Sequence, residues 1–343
     1  MITKPTVLVL GAGTSIPYGY PSGTGLVKDI FTNITSNAWR EIYDSCGLDH
    51  KEMDALKSEL YLSQKPSIDA FLEHRGEFLK AGKIAIALSL LSKENPDVFN
   101  GFDIREQGIY HFLYNSLSAS WEEFRENKLT VVTFNYDRSL EFFLFSALKH
   151  SYNKSDTEIA EAIENIPIIH VHGSLGPLSW QESGGSDYYP LFGRSDQGYQ
   201  IEKRIKLAIE NIVIVSEAEP NSEGFAFANQ RLKEAERIYF LGFGYYRVNM
   251  ERLGLSQLQI IDQNALDSFF NIHYYHKMDQ KDSYLNSWLS ERRTPQNSIK
   301  LFRGSALGLG TAQRKSIQEE WFIGLPDNKC NALEFLKEHA ELS

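Results

Sequence analysis

Cysteine is nearly absent from this 343-residue chain, which contains only Cys46 and Cys330. The two lie far apart and form no Cys-x-x-Cys pair, so they can build neither a disulfide framework nor a structural zinc module. Long apolar runs are also missing, since no stretch approaches the roughly 20 residues that cross a bilayer. The first residues have neither the basic region nor the long apolar region of a secretory signal. We therefore expect a cytoplasmic protein that does not enter the membrane.

Positively charged residues are fewer than negatively charged ones. The chain has 35 Lys and Arg and 45 Asp and Glu, which gives a net charge of -10. Such a field repels phosphate backbones, so nucleic acid is an unlikely direct ligand. Apolar residues, in contrast, make up 42% of the chain and aromatic residues 13%. This composition is far from that of disordered proteins and predicts folded structure nearly throughout.

Short, β-branched, apolar runs predict six strands of an α/β fold. The first run, TVLVL, is apolar after its opening threonine and ends at Gly11, as is typical of strands buried on both faces of a parallel sheet. The predicted strands are Thr6–Leu10, 129–134, 166–171, Arg237–Leu241, 271–275 and 299–302. They indicate a Rossmann-like, doubly wound and mostly parallel six-stranded sheet.

Two insertions interrupt this sheet domain. Residues 25–127 have helical spacing at 25–34, 51–62, 68–79, 84–91 and 108–124 and predict an inserted helical subdomain. Residues 1–24 and 128–343 then form the sheet domain, in which the segment 138–148 is predicted to be helical. Within it, residues 173–236 predict a second insertion, a loop rich in Gly, Ser and Pro followed by helices at 201–208 and 225–236, which could act as a lid.

A glycine-rich turn, GAGTS at residues 11–15, follows the first strand. Glycines allow the backbone to approach a pyrophosphate, but the third glycine of the dinucleotide fingerprint is missing, and a tight turn without a ligand is the alternative. The continuation through Tyr18, Tyr20 and Pro21 is too rich in Gly and Pro to be helical. It could cover a cofactor, or it could be a surface turn whose tyrosines pack on the domain.

Polar side chains also follow the second and third predicted strands. Asn135 and Asp137, in the segment TFNYD, could bind ribose hydroxyls, although Asp137 could equally cap the next helix. His170 and His172 are expected on one face of their strand, so one could be catalytic and the other supporting. Either could instead be a hydrogen-bonded structural residue, and a metal site is disfavoured because no further ligand has suitable spacing.

A fourth motif, LGFG at residues 241–244, ends another predicted strand. Because the carboxyl ends of strands in a doubly wound sheet share one crevice, we expect all four motifs to meet at a single ligand.

In this combination the chain resembles the sirtuin (silent information regulator) superfamily, whose NAD site is built from a GAG-x-S turn, a T-x-N-x-D segment and an H-G pair. The resemblance implies that Asn135 positions the ribose and its attacking group, that Asp137 supports the ribose, and that His172 is the general base. The cofactor-binding residues it implies are Gly11, Ala12, Gly13, Ser15, Tyr20, Pro21, Thr133, Asn135, Asp137, Gly242, Phe243, Gly244 and Asn249.

Two departures from the deacylating sirtuins indicate a different branch. The four-cysteine zinc module is missing, and YGYP at residues 18–21 replaces the family's D-F-R element. The large insertions and the LGFG segment resemble bacterial sirtuin-like proteins of anti-phage (abortive infection) systems, several of which hydrolyse NAD. That likeness implies a homo-oligomer, a partner such as a ring-forming ATPase, or both.

The resulting hypothesis is a metal-independent NAD+ hydrolase with NAD+ as its substrate. It would release nicotinamide and ADP-ribose and stay inactive until assembly or another trigger switches it on. A sensor that binds NAD+ or ADP-ribose without turnover is the first alternative. An NAD-dependent protein deacylase is the second.

Overall fold

The computed structural model describes residues 1–192, 198–214, 223–255, 301–305 and 330–340, together with residues 313–314, 317, 323, 325 and 342. Its centre is a parallel sheet of five strands in the order β3-β2-β1-β4-β5. The strands are β1 Thr6–Leu10, β2 Leu129–Thr133, β3 Ile168–His170, β4 Arg237–Leu241 and β5 Leu301–Gly304. Strand order reverses between β1 and β4, the position at which doubly wound sheets bind ligands.

The α/β class and the parallel sheet are confirmed, and five of the six predicted strands are present. The predicted strand at 271–275 lies outside the described residues. Strand β3 is shorter than predicted because the chain turns after His170, where Gly173 takes φ +69°. All residues of β1, β2 and β4 are buried, as apolar runs in a parallel sheet require.

Alternate side chains of the strands enter two separate cores. Leu8, Leu10 and Val131 belong to a core that includes the helices between β1 and β2 and the helix after β2. Val7, Val9 and Val132 belong to the other core, on the opposite face. Each face of the sheet is therefore covered, which makes the fold doubly wound.

Eight helices occupy the chain between β1 and β2, where a helical insertion was predicted. They are α1 Gly23–Asn33, α2 Asn37–Ser45, α3 His50–Leu62, α4 Ile68–Leu72, α5 Leu79–Leu91, α6 Phe102–Gln107, α7 Ile109–Ser116 and α8 Trp121–Phe124. Five of these helices have an N-cap residue whose side chain accepts a hydrogen bond from a backbone N–H, namely Ser22, Ser36, Asp49, Ser67 and Ser120. Helix α5 is almost entirely buried and packs against α1 and α3.

The predicted helix 68–79 is in fact interrupted. Helix α4 ends at Leu72, and a 3-10 turn at Gly76–Phe78 precedes α5, because glycine at position 76 disfavours a continuous helix. The predicted helix 108–124 is likewise two helices, since Ser120 and Glu123 form a capping box that starts α8.

The remaining described helices are α9 Ser139–Tyr152, α10 Asp156–Glu164, α11 Gly198–Asn211, α12 Glu223–Glu234, α13 Arg247–Arg252 and α14 Ala332–His339. Helix α11 packs against α5, so the second predicted insertion contacts the first. In the part of the chain that the structure describes, every helix is too short or too polar to cross a bilayer.

Candidate functional site

The loops that follow β1 and β4 lie directly against each other at the switch in strand order. Gly11 N donates to Leu241 O at 3.0 Å, and Gly13 N donates to Gly242 O at 3.0 Å. A Cβ atom on Gly13 would lie 2.7 Å from Gly242 Cα. The sequence predicted that these glycines allow the close approach of a ligand. In the structure, the close contact between the two backbones already requires glycine here.

Asn135 links the segment after β2 to the glycine-rich turn. Its Nδ2 donates to Gly11 O at 3.1 Å, to Ser15 Oγ at 3.1 Å and to Thr14 Oγ1 at 3.3 Å. Its backbone N–H donates to Thr133 Oγ1 at 3.1 Å. Because the amide nitrogen is engaged by the turn, the amide Oδ1 is the polar group of Asn135 that remains for a ligand.

A chain of hydroxyl groups runs from the glycine-rich turn to Asp137. Ser15 Oγ lies 3.4 Å from Tyr110 Oη, which lies 2.8 Å from Ser139 Oγ. Ser139 in turn donates to Asp137 through both its hydroxyl and its backbone N–H. Burial raises the pKa of Asp137, while these serine contacts oppose that rise. The carboxylate thus accepts a hydrogen bond from Ser139, the first residue of α9, but Asp137 is not its N-cap, since Arg138 takes that position.

His172 is enclosed by aromatic side chains, here called the aromatic box, and lies outside the hydrogen-bond network of Asn135. Its ring packs edge-on against Phe134 at 5.3 Å and Phe225 at 5.4 Å between centroids. Its Nδ1 is buried and has no hydrogen-bond partner among the described residues. Burial, with Arg252 nearby, lowers the pKa of His172 to about 4. The imidazole is therefore neutral at neutral pH and is a weaker base than an unperturbed histidine.

The expectation that the two histidines share a face is wrong. His170 contacts Glu141 of α9, whereas His172 packs with Phe225 of α12 on the other side of the sheet. Side chains alternate between the two faces only within a strand. Because β3 ends at His170 and the chain then turns towards Gly173, the alternation does not extend to His172.

The burial of neutral His172 predicts a specific loss of stability in acid. Its folded pKa lies below the unfolded value near 6.5, so this contribution is present above about pH 6.5 and is lost as the pH falls towards about 4. From about pH 7.5 to about pH 5, the free energy of unfolding should fall by about 2 kcal/mol more in the wild type than in His172→Asn. Urea titrations at both pH values measure this difference, and parallel losses in the two proteins would contradict it.

Tyr20 and its neighbours pack inside the protein. Tyr20 Oη lies 2.8 Å from Tyr188 Oη, and the side chain is buried. Tyr18 stacks on Tyr110 at 4.1 Å and accepts a hydrogen bond from the Tyr110 backbone. Pro21 is half-buried beside α1. The tyrosines of this loop thus pack on the domain, the alternative to a cofactor cover.

The other predicted residues surround the same edge of the sheet. Phe243 is buried with its ring 4.9 Å from that of Phe134, so it borders the aromatic box. Gly244 is exposed, while Ala12 and Asn249 are half-buried, the latter within α13. Most of the predicted residues therefore gather at one edge of the sheet, where Asn135 and Gly242 both bond directly to the glycine-rich turn.

Several residues of the site were not predicted from the sequence, Tyr110 and Glu141 among them. Tyr110, from α7, joins the hydroxyl chain. Glu141 binds His170, whose other ring nitrogen binds Asn135 O. An acidic residue within the apolar stretch SLEFFLF of α9 was the available signal for Glu141, because an isolated carboxylate is rarely buried without a partner.

A separate cleft of about 420 Å³ opens at the amino ends of the strands, on the opposite edge of the sheet. Its lining includes Thr6, Lys128, Glu164 and Arg231, none of them a predicted site residue. Within the described ranges, no group of three His, Cys, Asp or Glu side chains could hold a metal ion.

The chain matches no protein-family model, and no curated protein is detectably similar to it in sequence.

Proposed function

We propose that this protein binds NAD+ at the carboxyl ends of β1, β2 and β4 and hydrolyses the bond between nicotinamide and ribose. The products would be nicotinamide and ADP-ribose. The observation that carries this proposal is the set of hydrogen bonds from Asn135 Nδ2 to Gly11, Thr14 and Ser15. They join the T-x-N-x-D segment to the GAG-x-S turn at the switch in strand order, where dinucleotides bind in Rossmann-like folds.

The side chains at this edge supply what the reaction needs. Cleavage requires a fixed ribose, stabilisation of positive charge on the sugar, and a water directed at the anomeric carbon. The Oδ1 of Asn135 can accept a hydrogen bond from that water or from a ribose hydroxyl. Asp137, buried near Ser15, would place negative charge close to a cationic sugar when it is ionised, with the Ser139 and Ser15 contacts opposing the rise in its pKa that burial causes.

His172 fits the role of proton acceptor only in part. Its pKa of about 4 keeps it neutral, and so able to accept a proton, throughout the physiological range. The same low value weakens it as a base, because general-base catalysis is most efficient when the pKa is close to the working pH. We therefore infer that His172 contributes by orienting the attacking group as well as by accepting its proton.

The proposed biological setting follows the resemblance to sirtuin-like proteins of bacterial anti-phage defence. Unregulated hydrolysis of NAD+ would be toxic, so we propose that activity is switched on by self-association or by a partner such as a ring-forming ATPase. A dilute chain would then have little activity, and activity would rise with protein concentration or with the added partner.

The test compares four forms of the purified full chain incubated with NAD+, with nicotinamide and ADP-ribose measured by chromatography. We expect release by the wild type and by His150→Ala, because His150 is an exposed histidine of α9. Asn135→Ala and His172→Ala should each lower the rate by about 10²- to 10⁴-fold. Full turnover by both variants, with wild-type circular dichroism, would disprove the site. Release that depends on an acyl-lysine peptide would indicate a deacylase instead.

The low pKa of His172 favours one second function, a sensor that binds NAD+ or ADP-ribose without cleaving it. Binding needs the glycine-rich turn and Asn135 but does not need a base. Calorimetry that shows tight binding of NAD+, with no nicotinamide released at any protein concentration, would support the sensor and would contradict the hydrolase.

A further inference from the structure

The ring of His170 lies between two acceptors in the interior. Its Nδ1 is 2.8 Å from the backbone O of Asn135, and its Nε2 is 2.6 Å from Glu141 Oε1. The two side chains are only 13% and 6% exposed. Both hydrogen bonds therefore lie in a region from which water is largely excluded, where each is stronger than at a surface.

The partners determine the protonation state of the ring. A carbonyl oxygen can only accept, so Nδ1 carries a proton. When the Glu141 carboxylate is ionised it too can only accept, and Nε2 then carries a proton as well. An imidazole with two N–H groups is the cation. Burial opposes this charge, but Glu141, the bond to Asn135 O and the nearby Asp137 outweigh it, so the pKa of His170 is raised.

The contacts of Asn135 show what this pair holds in place. His170 binds the backbone carbonyl of Asn135, while Gly11 O and Ser15 Oγ bind the side-chain nitrogen. With both ends fixed, the direction of the remaining amide oxygen, Oδ1, is fixed as well. Loss of the His170 contact would free the backbone at the residue on which the proposed site depends.

We propose that Glu141 holds His170 as an imidazolium, and that this ion pair is a positioning element that orients Asn135 for the ligand. The inference about charge and contact concerns the chain alone. Only its consequence for turnover rests on the proposed function. The pair acts through Asn135 and does not touch the substrate.

The first test needs no ligand. The full chain labelled with ¹⁵N-histidine is examined by NMR at about pH 7.5, and the His170 signals are assigned by their loss in His170→Gln. We expect two protonated nitrogens for His170, because both face acceptors, and a neutral ring for His172, whose Nδ1 has no partner among the described residues. In Glu141→Gln, His170 should become neutral at the same pH. Exposed His150 serves as the internal reference.

The second test measures NAD+ cleavage or, for a sensor, NAD+ affinity. Glu141→Gln and His170→Gln should lower kcat/KM by about 10²-fold, as expected when a reacting group is misplaced by about 1 Å. In the wild type, kcat/KM should fall as the pH rises through the pKa of His170, and Glu141→Gln should move this fall to lower pH. Glu161→Gln, at an exposed position of α10, should change neither property.

The outcomes separate this inference from the proposed function. A neutral His170 in the wild type at about pH 7.5, or a titration unchanged by Glu141→Gln, would overturn the ion pair whatever the activity. An imidazolium as expected, with no NAD+ binding or cleavage, would disprove only the proposed function. Should Glu141→Gln fail to fold, Glu141→Asp keeps the charge and must keep His170 doubly protonated.

Discussion

Replacement of Glu94 by glutamine is expected to lower the free energy of unfolding by about 3–5 kcal/mol, the cost of removing one partner from a buried ion pair. Glu94, just after α5, is fully buried between two arginines. Arg138 Nε donates to Glu94 Oε1 at 2.8 Å, and Arg204 Nη2 donates to Glu94 Oε2 at 2.6 Å. Glutamine would leave both buried guanidinium groups without a counterion.

This cluster also joins three parts of the fold. Glu94 lies in the helical segment between β1 and β2, Arg138 precedes α9 and follows Asp137, and Arg204 belongs to α11. Arg138 further donates to Pro177 O at 2.8 Å, which ties down the loop after β3. Loss of the carboxylate should therefore weaken the contacts that join the end of α5, α11 and the start of α9, not only one local bond.

Urea denaturation of the full chain measures the effect, and two further variants serve as controls. Glu161→Gln removes an exposed partner of Arg125, 3.4 Å away, and should cost no more than about 1 kcal/mol. Arg204→Met should cost less than Glu94→Gln, because Glu94 would still be paired with Arg138. A loss of under about 1 kcal/mol for Glu94→Gln would show that the cluster contributes little to stability.

Replacement of Gly242 by alanine should disrupt both the fold and the proposed site. Gly242 has φ +57°, and a Cβ atom there would lie 2.5 Å from Thr14 N and 2.6 Å from Gly13 C. These are backbone atoms, so no side-chain rotation relieves the clash. Backbone strain and overpacking each cost about 1–3 kcal/mol, so we expect a total loss of about 2–6 kcal/mol.

The matched control is Gly47→Ala, which separates strain from the clash. Gly47 has φ +72°, but its nearest neighbour would be the flexible Lys80 Nζ at 3.9 Å. Its cost should be only that of the left-handed conformation, about 1–2 kcal/mol. Gly242→Ala should also abolish NAD+ binding at temperatures where it stays folded, because the displaced turn carries the acceptors of Asn135. Equal losses of stability, with intact NAD+ binding, would contradict the close contact of the two loops.

The sheet was predictable because its signal is local. A strand such as Thr6–Leu10, with four consecutive apolar residues on alternating faces, is expected to be buried on both faces, and a glycine after its end marks the turn. Helix starts were predictable for the same reason, as at Ser67, whose hydroxyl caps α4. The break within 68–79 was missed because helical spacing continues through Gly76, although the backbone does not.

The sequence could predict which residues lie at this edge of the sheet but not how they are arranged. Asn135 and His172 could be placed there because each follows a strand, and parallel strands end at a common edge. That they occupy different surroundings, one bonded to Ser15 and the other enclosed by Phe225, depends on where β3 ends. If β3 ended one residue earlier or later, His172 would lie on the other face of the sheet. The periodicity of the sequence does not show where the strand ends.

The sequence alone determined the α/β class, the parallel strands and the edge of the sheet at which Asn135 lies, since these follow from local composition and strand order. Only the tertiary structure decided which partners the polar groups have. Gly13 meets Gly242, Glu94 meets Arg204 and Glu141 meets His170 across long stretches of chain. Burial sets the charge states of such groups, and burial is a property of packed neighbours that no single segment contains.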